Sequence, residues 1–390
     1  MKRESWIAEE LEALKTGHLD RHLRVYPEAG GKIRMDGREF LNFSSNDYLA
    51  LARHPQVIAS AEKALREFGA GSTASRLVTG TLPLHEELER RLASYKGYKA
   101  ALVFGSGYLA NAGTIPALAG RDDTVFADKL AHASIIDSII LSRARLVRFR
   151  HNDVQHLDEL LQKNSTSGRR LVVTESVFSM DGDLAPLADI AAVATRHEAL
   201  LMIDEAHATG VFGPSGSGLI RQHRLESDVN VSMGTLSKAL GGYGGFVACS
   251  PPMRELLVNR ARAIIYTTAL PPPVVGAALG AMDVLEHNPD LGPELLRRAG
   301  DFRNALRAAG FDTMDSQSQI IPVRVGDNAK ALALAQRLRE NGILAVAIRP
   351  PTVPQGTARL RLSVTLAHTD GDLQRASEVI IQSARTEGVL

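Results

Sequence analysis

The chain has 390 residues, 44% of them hydrophobic, so it can bury a large core and is longer than most single domains. Its 45 Lys and Arg residues nearly balance its 44 Asp and Glu residues, and the resulting net charge of +1 excludes the broad basic surface of a nucleic-acid-binding protein. A single cysteine, Cys249, excludes an internal disulfide framework and a multi-cysteine metal site, and it fits a reducing cytoplasm.

The first elements along the chain are predicted helices. Ile7, Leu11 and Leu14 recur at helical spacing before a stop at Gly17, which indicates an amphipathic helix rather than a secretory signal. Two more helices are predicted, one after Pro55 and one over LHEELERRLASYKG. No apolar run reaches the roughly eighteen residues of a membrane-spanning helix, so we expect a soluble protein.

From about residue 99, short apolar runs rich in β-branched residues alternate with helical patterns. Such alternation predicts βαβ units and a mainly parallel sheet, and nearly continuous apolar runs are typical of strands that are covered on both faces. We therefore predict about seven strands, at ALVF (101–104), TVFA (124–127), RLVRF (145–149), RLVVTES (170–176), ALLMIDEAH (199–207), VNVSM (229–233) and GFVACS (245–250).

The C-terminal part of the chain has its own pattern. After three prolines at 271–273, a long helical stretch is predicted to about residue 309, and the residues HNPDLGP at 287–293 mark the expected domain boundary. We predict an N-terminal helix and arm over 1–50, a large domain over 51–288, and a small C-terminal domain over 289–390 that packs with the arm. The small domain has predicted strands at IIPVRV (320–325), ILAVAI (343–348) and ARLRLSV (358–364).

A glycine turn joins the first of the seven strands to a helix, in ALVFGSGYLANAG. Gly105, Gly107 and Ala110 match the dinucleotide-binding signature G-x-G-x-x-G/A, and Asp128 follows at about the ribose-binding spacing, roughly twenty residues on. The same glycines would equally hold a single phosphate on backbone N–H groups at a helix N-terminus. The turn alone leaves both ligands open.

Two further motifs carry reactive side chains at predicted strand ends. Lys238 lies among small residues in VSMGTLSKALGGYGG, where a lysine can approach a carbonyl cofactor closely and act as a Schiff-base nucleophile, although most lone lysines are simply solvated. Asp204 and His207 follow another apolar run, at the sheet edge where α/β folds bind ligands. An aspartate there can pair with a pyridinium nitrogen, whereas a helix N-cap and a loop histidine are the plainer interpretations.

Residues 204–207 also spell DEAH, a label attached to some helicases. Such enzymes need the phosphate-binding sequence G-x-x-x-x-G-K-[ST]. The one Gly-Gly-Lys, at 30–32, is followed by Ile33, so the helicase interpretation fails.

Taken together, the motifs resemble the α-oxoamine synthases, a family of fold-type I pyridoxal-phosphate (PLP) enzymes. The order and spacing match over nearly the whole chain, in FSSNDYLAL, the Gly-Tyr pair at 107–108, the histidine of DKLAHAS, ESVFSMDGD, DEAH, TLSKALGGYGG and TVPQGTARLRLS. The resemblance implies the aspartate aminotransferase-like PLP-dependent transferase fold, which is α/β, with a mainly parallel seven-stranded sheet in the large domain and a smaller α/β C-terminal domain. It also implies a cytoplasmic homodimer that binds PLP.

The resemblance assigns catalytic and cofactor-binding roles to four of these residues. Lys238 would bind PLP covalently and later move the α-proton of the substrate. Asp204 would pair with the pyridine nitrogen, and His207 and Ser179 would contact the side of the ring that carries the phenolic oxygen.

The remaining cofactor contacts follow from the same resemblance. The 5′-phosphate would be held by backbone N–H groups of Gly107 and Tyr108 and by the hydroxyl of Thr235, which leaves Asp128 as a strand-end aspartate. His132 would stack on the cofactor ring and touch the substrate, although a histidine before a helix is as easily a structural cap.

The expected substrate contacts lie at both ends of the chain. Arg361 is the expected clamp for the carboxylate of the amino-acid substrate because a guanidinium offers a bidentate fork, and Arg359 on the same strand face is its confounder. Asn46 resembles a second substrate contact of the family. Arg21 and Thr352 match further substrate positions, with Arg21 near the distal carboxylate or the thioester part of the acyl chain, and both are otherwise exposed polar residues.

The resemblance is strongest to the branch of the family that condenses L-alanine with a pimeloyl thioester, either pimeloyl-CoA or pimeloyl-acyl carrier protein. Synthases that join glycine or serine to other acyl-CoA thioesters are the nearest alternatives, followed by an aminotransferase. A non-catalytic relative and a nicotinamide dehydrogenase built on GSGYLA also remain open, but neither explains Lys238.

Overall fold

The structure is a computed structural model that describes residues 4–35, 37–164 and 168–390. The chain divides into two compact units. Unit 1 comprises the described residues of Met1–Ser45 together with Met180–Gly182 and Arg297–Leu390, and unit 2 comprises those of Asn46–Ser179 and Asp183–Leu296. The predicted domain limits 1–50, 51–288 and 289–390 stay a prediction about how the chain folds.

The elements have the following bounds. The strands are β1 (Lys32–Met35), β2 (Arg38–Asn42), β3 (Ala100–Phe104), β4 (Thr124–Asp128), β5 (Arg145–Phe149), β6 (Arg170–Glu175), β7 (Leu200–Asp204), β8 (Val231–Thr235), β9 (Gly245–Cys249), β10 (Ile320–Gly326), β11 (Ile343–Leu344), β12 (Val346–Ile348) and β13 (Ala358–Ser363). The helices are α1 (Ser5–Thr16), α2 (Pro55–Phe68), α3 (Pro83–Lys96), α4 (Gly107–Leu118), α5 (Ala133–Ser142), α6 (Val154–Lys163), α7 (Leu187–Arg196), α8 (Leu219–His223), α9 (Pro251–Arg260), α10 (Arg262–Ile265), α11 (Pro272–His287), α12 (Leu291–Ala308), α13 (Asn328–Glu340) and α14 (Asp370–Thr386). None of these described helices is both long enough and apolar enough to cross a membrane.

Unit 2 is built on a seven-stranded sheet in the order β3-β9-β8-β7-β6-β4-β5. β9 runs antiparallel to β3 and β8, and the other pairings are parallel, so the predicted mainly parallel sheet is confirmed. Every residue of β4, β8 and β9 is buried, as expected of strands that are covered on both faces. β4, β6, β7 and β8 end at one edge of the sheet, and the segments that follow them carry the predicted site.

Unit 1 contains two three-stranded sheets, in the orders β1-β2-β11 and β10-β13-β12. The run ILAVAI was expected to form one strand, but it divides between the sheets: β11 pairs parallel to β2, and β12 pairs antiparallel to β13. An unbroken apolar run has no alternation to mark where the chain leaves one sheet for another. The β1–β2 hairpin was not predicted, although the Asp-Gly pair at 36–37 is a hairpin signal in the sequence.

The long helical stretch predicted after the three prolines is two helices rather than one. α11 ends at His287 and α12 begins at Leu291. The break falls at Asn288, which precedes Pro289, and a residue before proline is disfavoured in helical conformation.

An ion pair without exposed surface lies beside the carboxyl end of β7. Lys96 Nζ is 2.5 Å from Glu205 Oε2, and both side chains are 0% exposed. The other contacts of this carboxylate are the Ser232 hydroxyl, which donates to Oε2 at 3.2 Å, and the Ile220 N–H, which donates to Oε1 at 3.0 Å. Gly218 makes this approach possible, because a Cβ atom there would lie 2.4 Å from Glu205 Oε2. The pair therefore fixes the segment that follows β7 against the helix α3 and the strand β8.

We predict that Lys96→Met destabilises the protein by about 3–5 kcal/mol, because it leaves the Glu205 carboxylate buried without its cation. Denaturant unfolding of the variant and the parent chain measures this loss. Lys99→Met is the matched control, since Lys99 is an exposed lysine three positions away, and its effect should stay within about 0.5 kcal/mol. Equal effects of the two substitutions would contradict the prediction.

Candidate active site

A line of four hydrogen-bonded side chains crosses the carboxyl edge of the unit 2 sheet. Lys238 Nζ is 2.8 Å from His207 Nε2, His207 Nδ1 is 2.7 Å from the Tyr48 hydroxyl, and that hydroxyl is 3.2 Å from Asn46 Oδ1. An ammonium group has only donors, so Lys238 donates to Nε2, and the Nδ1–H of His207 then donates to Tyr48. The Tyr48 hydroxyl therefore donates its own proton to Asn46 Oδ1. Every member of this line except the fully buried Tyr48 was predicted as a site residue from the sequence.

The carboxylate of Asp204 is buried at the end of β7 and receives two hydrogen bonds. Oδ1 accepts from the Ala206 N–H at 2.9 Å, and Oδ2 accepts from Asn111 Nδ2 at 3.0 Å. The main-chain carbonyl of Asp204 also accepts from the Ser176 N–H at 2.9 Å. A carboxylate has about four acceptor sites, so this side chain keeps capacity for a further donor.

His132 is the N-cap of α5, and its ring nitrogen Nδ1 accepts from the Ser134 N–H at 3.2 Å. Burial lowers the pKa of His132, and Lys238 acts in the same direction, while Asp204 opposes them. The ring is therefore neutral and carries its proton on Nε2. The cap uses only Nδ1, so the structural interpretation of this histidine and the predicted functional one are compatible.

Glu175 is a buried carboxyl group in the segment ESVFSMDGD, and no role was predicted for it from the sequence. It pairs in register with Asp204 on the neighbouring strand, and its Oε1 accepts from the His132 N–H at 2.7 Å. Burial, together with the Asp204 charge, raises the pKa of Glu175 to about 8, although Lys238 opposes the shift. Its position at a strand end beside Asp204 is the signal that would have found it.

The glycine turn after β3 leads directly into α4. Ser106 caps this helix by accepting from the Leu109 N–H at 3.1 Å, and the helix begins at Gly107. A Cβ atom on Gly245 would lie 2.5 Å from the Ser106 carbonyl oxygen and 2.7 Å from the Gly107 nitrogen, so only glycine lets β9 approach the turn this closely. The first N–H groups of a helix have no intrahelical acceptors and attract an anion.

The other residues predicted around the turn differ in what their side chains offer. The Thr235 hydroxyl donates to the Gly244 carbonyl at 2.8 Å and lies 2.7 Å from the Ser237 hydroxyl. The Tyr108 hydroxyl donates to Asp137 at 2.8 Å on an exposed side chain, so only its backbone belongs to the turn. Ser179 is buried in the segment that follows β6.

Asp128 has the role of a strand-end aspartate. Its buried carboxylate accepts from the N–H groups of Leu130 at 2.8 Å and Asn152 at 2.9 Å, and it lies 3.0 Å from His151 Nδ1. These partners occupy the oxygens that a ribose hydroxyl would need. The dinucleotide interpretation of the glycine turn therefore loses the carboxylate that would bind the ribose.

His151 bridges two carboxylates, because its Nε2 lies 2.8 Å from Asp183 Oδ2 while its Nδ1 binds Asp128. Burial alone would lower the pKa of His151, but the hydrogen bonds to Asp128 and Asp183 outweigh it and raise the pKa to about 9. The imidazolium thereby ties the end of β4 to the segment that follows Ser179 in the chain.

Three predicted substrate residues, Arg21, Thr352 and Arg361, belong to unit 1. Arg359 already has a carboxylate partner within this unit, Asp181, whereas Arg361 Nη1 donates to the Ser363 hydroxyl at 2.8 Å. Arg361 stays the predicted clamp for a substrate carboxylate.

A cavity of about 960 Å³ in unit 1 has both Arg21 and Thr352 in its wall. Three more arginines line it, Arg24, Arg339 and Arg349, against the two carboxylates of Asp20 and Glu28. Its wall is therefore more cationic than anionic, which suits an anionic ligand.

Comparisons with known proteins agree on one family. A family model for class I and II aminotransferases matches residues 38–380. An 8-amino-7-oxononanoate synthase of Geobacter sulfurreducens is 49% identical over 388 residues, which cover 98% of this chain and 99% of that protein.

Solved structures give the same fold. Serine palmitoyltransferase from S. paucimobilis, with a bound PLP–myriocin aldimine, has a TM-score of 0.93 at 34% identity and covers 100% of this chain and 99% of its own. An 8-amino-7-oxononanoate synthase from Francisella tularensis has a TM-score of 0.77 at 30% identity, over 90% of this chain and 99% of its own.

We predict that His151→Gln makes the stability of the protein less dependent on alkaline pH. The folded-state pKa of about 9 lies above the ordinary value of 6.5, so the stabilisation from His151 is complete below about pH 6.5 and is lost as the pH rises through about 9. Denaturant midpoints of parent and variant should therefore differ most near pH 6 and converge by about pH 10.

The control for this experiment is His223→Gln, which changes an exposed histidine. It should give the same small difference from the parent chain at every pH. A constant difference for His151→Gln as well would refute the bridging role.

Proposed function

Since this chain belongs to the class I and II aminotransferase family of PLP-dependent enzymes, we propose that it condenses L-alanine with a pimeloyl thioester to form 8-amino-7-oxononanoate in biotin biosynthesis. The supporting observation is the meeting of Lys238, Asp204 and the N-terminus of α4 at one sheet edge. The choice of substrates rests on the relative that shares 49% identity over nearly the whole chain.

The groups at this edge fit the three reactive parts of PLP. Lys238 offers an amine for the aldehyde, and Asp204 has a free acceptor site for a protonated ring nitrogen. The first N–H groups of α4 offer donors for the phosphate, at a turn that Gly245 keeps open. His207 and Ser179 would bind the phenolic-oxygen side, and Gly107, Tyr108 and Thr235 the phosphate.

PLP supplies an aldehyde that captures amines and a ring that withdraws electrons from the bound substrate. The chain supplies the proton transfers. Lys238 Nζ would take the Cα proton of alanine as a general base, and His207 Nε2 would hold the amine in reach through its 2.8 Å contact. Asp204 would hold a protonated ring nitrogen, and a protonated ring withdraws electrons more strongly.

The reaction balances in atoms and charge. A carbon–carbon bond forms between alanine Cα and the thioester carbonyl, and the carbon–sulfur bond breaks, so that the carrier leaves as the free thiol with the proton removed from Cα. The carboxylate of the alanine unit then leaves as carbon dioxide, and a proton takes its place on Cα. Arg361 would bind that carboxylate before it leaves and so fix the Cα–H direction, with Asn46 and His132 as further contacts.

The acyl chain would occupy the cavity that contains Arg21 and Thr352. A pimeloyl group ends in a carboxylate, and both CoA and an acyl carrier protein are anionic, so each suits the four arginines in this wall.

We also propose that the enzyme works as a homodimer in the cytoplasm. Large apolar side chains of unit 2 are exposed in the single chain, and contact with a second copy would remove such side chains from water. They include Leu77, Val78, Ile140, Leu141 and Tyr266.

The PLP-loaded protein should convert L-alanine and pimeloyl-CoA to 8-amino-7-oxononanoate, measured by mass spectrometry of the product. Parallel incubations contain pimeloyl-acyl carrier protein with alanine, glycine with acetyl-CoA, and serine with palmitoyl-CoA. Lys238→Ala is the inactive control. A higher kcat/KM with glycine or serine would overturn the alanine and pimeloyl assignment in favour of another branch of the family.

We predict that Arg361→Lys raises the KM for alanine by about 10–100-fold, because one charge-assisted hydrogen bond to a carboxylate contributes about 1.5–3 kcal/mol. The KM for pimeloyl-CoA should change by less than about threefold. Steady-state kinetics with each substrate varied in turn measures both constants, and Arg324→Lys, on the neighbouring strand β10, is the control. Equal losses for both substrates would indicate a folding defect instead of a clamp.

A further inference from the structure

Asn111 is a buried amide on α4 that touches two parts of the site. Its Nδ2 donates to Asp204 Oδ2 at 3.0 Å and to the Ser134 hydroxyl at 2.9 Å. Both hydrogens of the amide are therefore used. Asn111 Oδ1 is buried and has no hydrogen-bond partner among the described residues. Leaving a buried carbonyl unpaired is unfavourable. The amide keeps this orientation because the two donor contacts are made only in it.

Ser134 connects Asn111 to His132 through hydrogen bonds. Its hydroxyl accepts from Asn111, so its own proton is available for His132 Nδ1, which is 2.8 Å away. The Ser134 N–H donates to the same nitrogen at 3.2 Å. Two donors on Nδ1 exclude a proton there, so the tautomer of His132 is the one with Nε2–H.

The result is one directed chain, in which Asn111 donates to Asp204 at one end and through Ser134 to His132 at the other. All four residues are in unit 2, on α4, α5 and the end of β7. The other charged groups near His132 are Lys238, Asp137 and Glu175, and Glu175 accepts from the backbone of His132, so it leaves the ring nitrogens untouched.

We propose that Asn111 and Ser134 are positioning residues for the PLP site: together they aim the Asp204 carboxylate and hold His132 as the neutral Nε2–H tautomer. The proposal rests on the PLP-binding part of the proposed function and not on its substrates. A cationic ring would then meet a carboxylate at its nitrogen and an uncharged imidazole on its face. A charged imidazole in that place would repel the protonated ring.

The test follows the visible absorbance of PLP bound to the holoenzyme as the pH is varied. Asn111→Leu keeps the branched shape of the side chain but removes both donors. The Asp204 carboxylate would then be held less well against the ring nitrogen. The ring nitrogen would therefore carry less positive charge. Because a less positive ring withdraws fewer electrons, the imine of PLP with Lys238 would keep its proton to higher pH. We expect the midpoint of the imine titration to rise by at least about half a pH unit. PLP should also dissociate roughly tenfold more readily, measured by fluorescence titration.

Ser134→Ala should shift the midpoint in the same direction but less, because the Ser134 N–H still holds the His132 tautomer. The double variant should shift no further than Asn111→Leu alone, since the two residues belong to one chain of bonds. Thr114→Val is the matched control: Thr114 is buried on the same helix, and its hydroxyl has no hydrogen-bond partner in the part of the chain that the structure describes.

An unchanged midpoint in folded, PLP-bound Asn111→Leu, additive shifts in the double variant, or an equal shift in Thr114→Val would each overturn the proposal. Thermal unfolding of every variant verifies folding, and if Asn111→Leu does not fold, Ser134→Ala carries the test. A parent chain that binds PLP but forms no 8-amino-7-oxononanoate overturns the substrate assignment and leaves this test intact. A parent chain that binds no PLP overturns both.

Discussion

The buried ion pair of Lys96 with Glu205 is the constraint on which the site in unit 2 depends. Glu205 is the residue between the strand that ends at Asp204 and the segment that carries His207. Because removing either charge would leave the other buried, the pair holds this junction in one conformation. The backbone on both sides of Glu205 is therefore held by a contact that involves no ligand.

The fold of unit 2 and the edge that carries its site could be predicted from the sequence, because buried parallel strands leave unbroken apolar runs and their carboxyl ends meet. Lys238, Asp204 and His207 were predicted as site residues because reactive side chains at such ends are unusual. Tyr48 and Asn111 could not be found in this way. Each contacts a residue far along the chain, and an asparagine within a helix or a tyrosine in a loop carries no local sign of its partner.

Structural and chemical roles coincide in several side chains of the site. His132 caps a helix with the nitrogen that must be unprotonated for a neutral ring, and Ser134 serves both the cap and the line of bonds to Asp204. Arg359 and Arg361 lie on one strand face and differ in their contacts, because Arg359 pairs with Asp181 and Arg361 donates to the Ser363 hydroxyl. Composition and spacing fit a structural role and a chemical role of such residues equally well. Only the contacts of the side chains distinguish the two roles.

The parallel pairing of β2 with β11 joins residues about 300 positions apart. During translation, the edge of β2 emerges long before its partner, at about 5–20 residues per second roughly 15–60 s earlier, with its N–H and C=O groups unpaired. The nascent chain can complete unit 2 in that interval, but not unit 1. Until β11 is made, the free edge of the N-terminal hairpin is thus open to pairing with other chains.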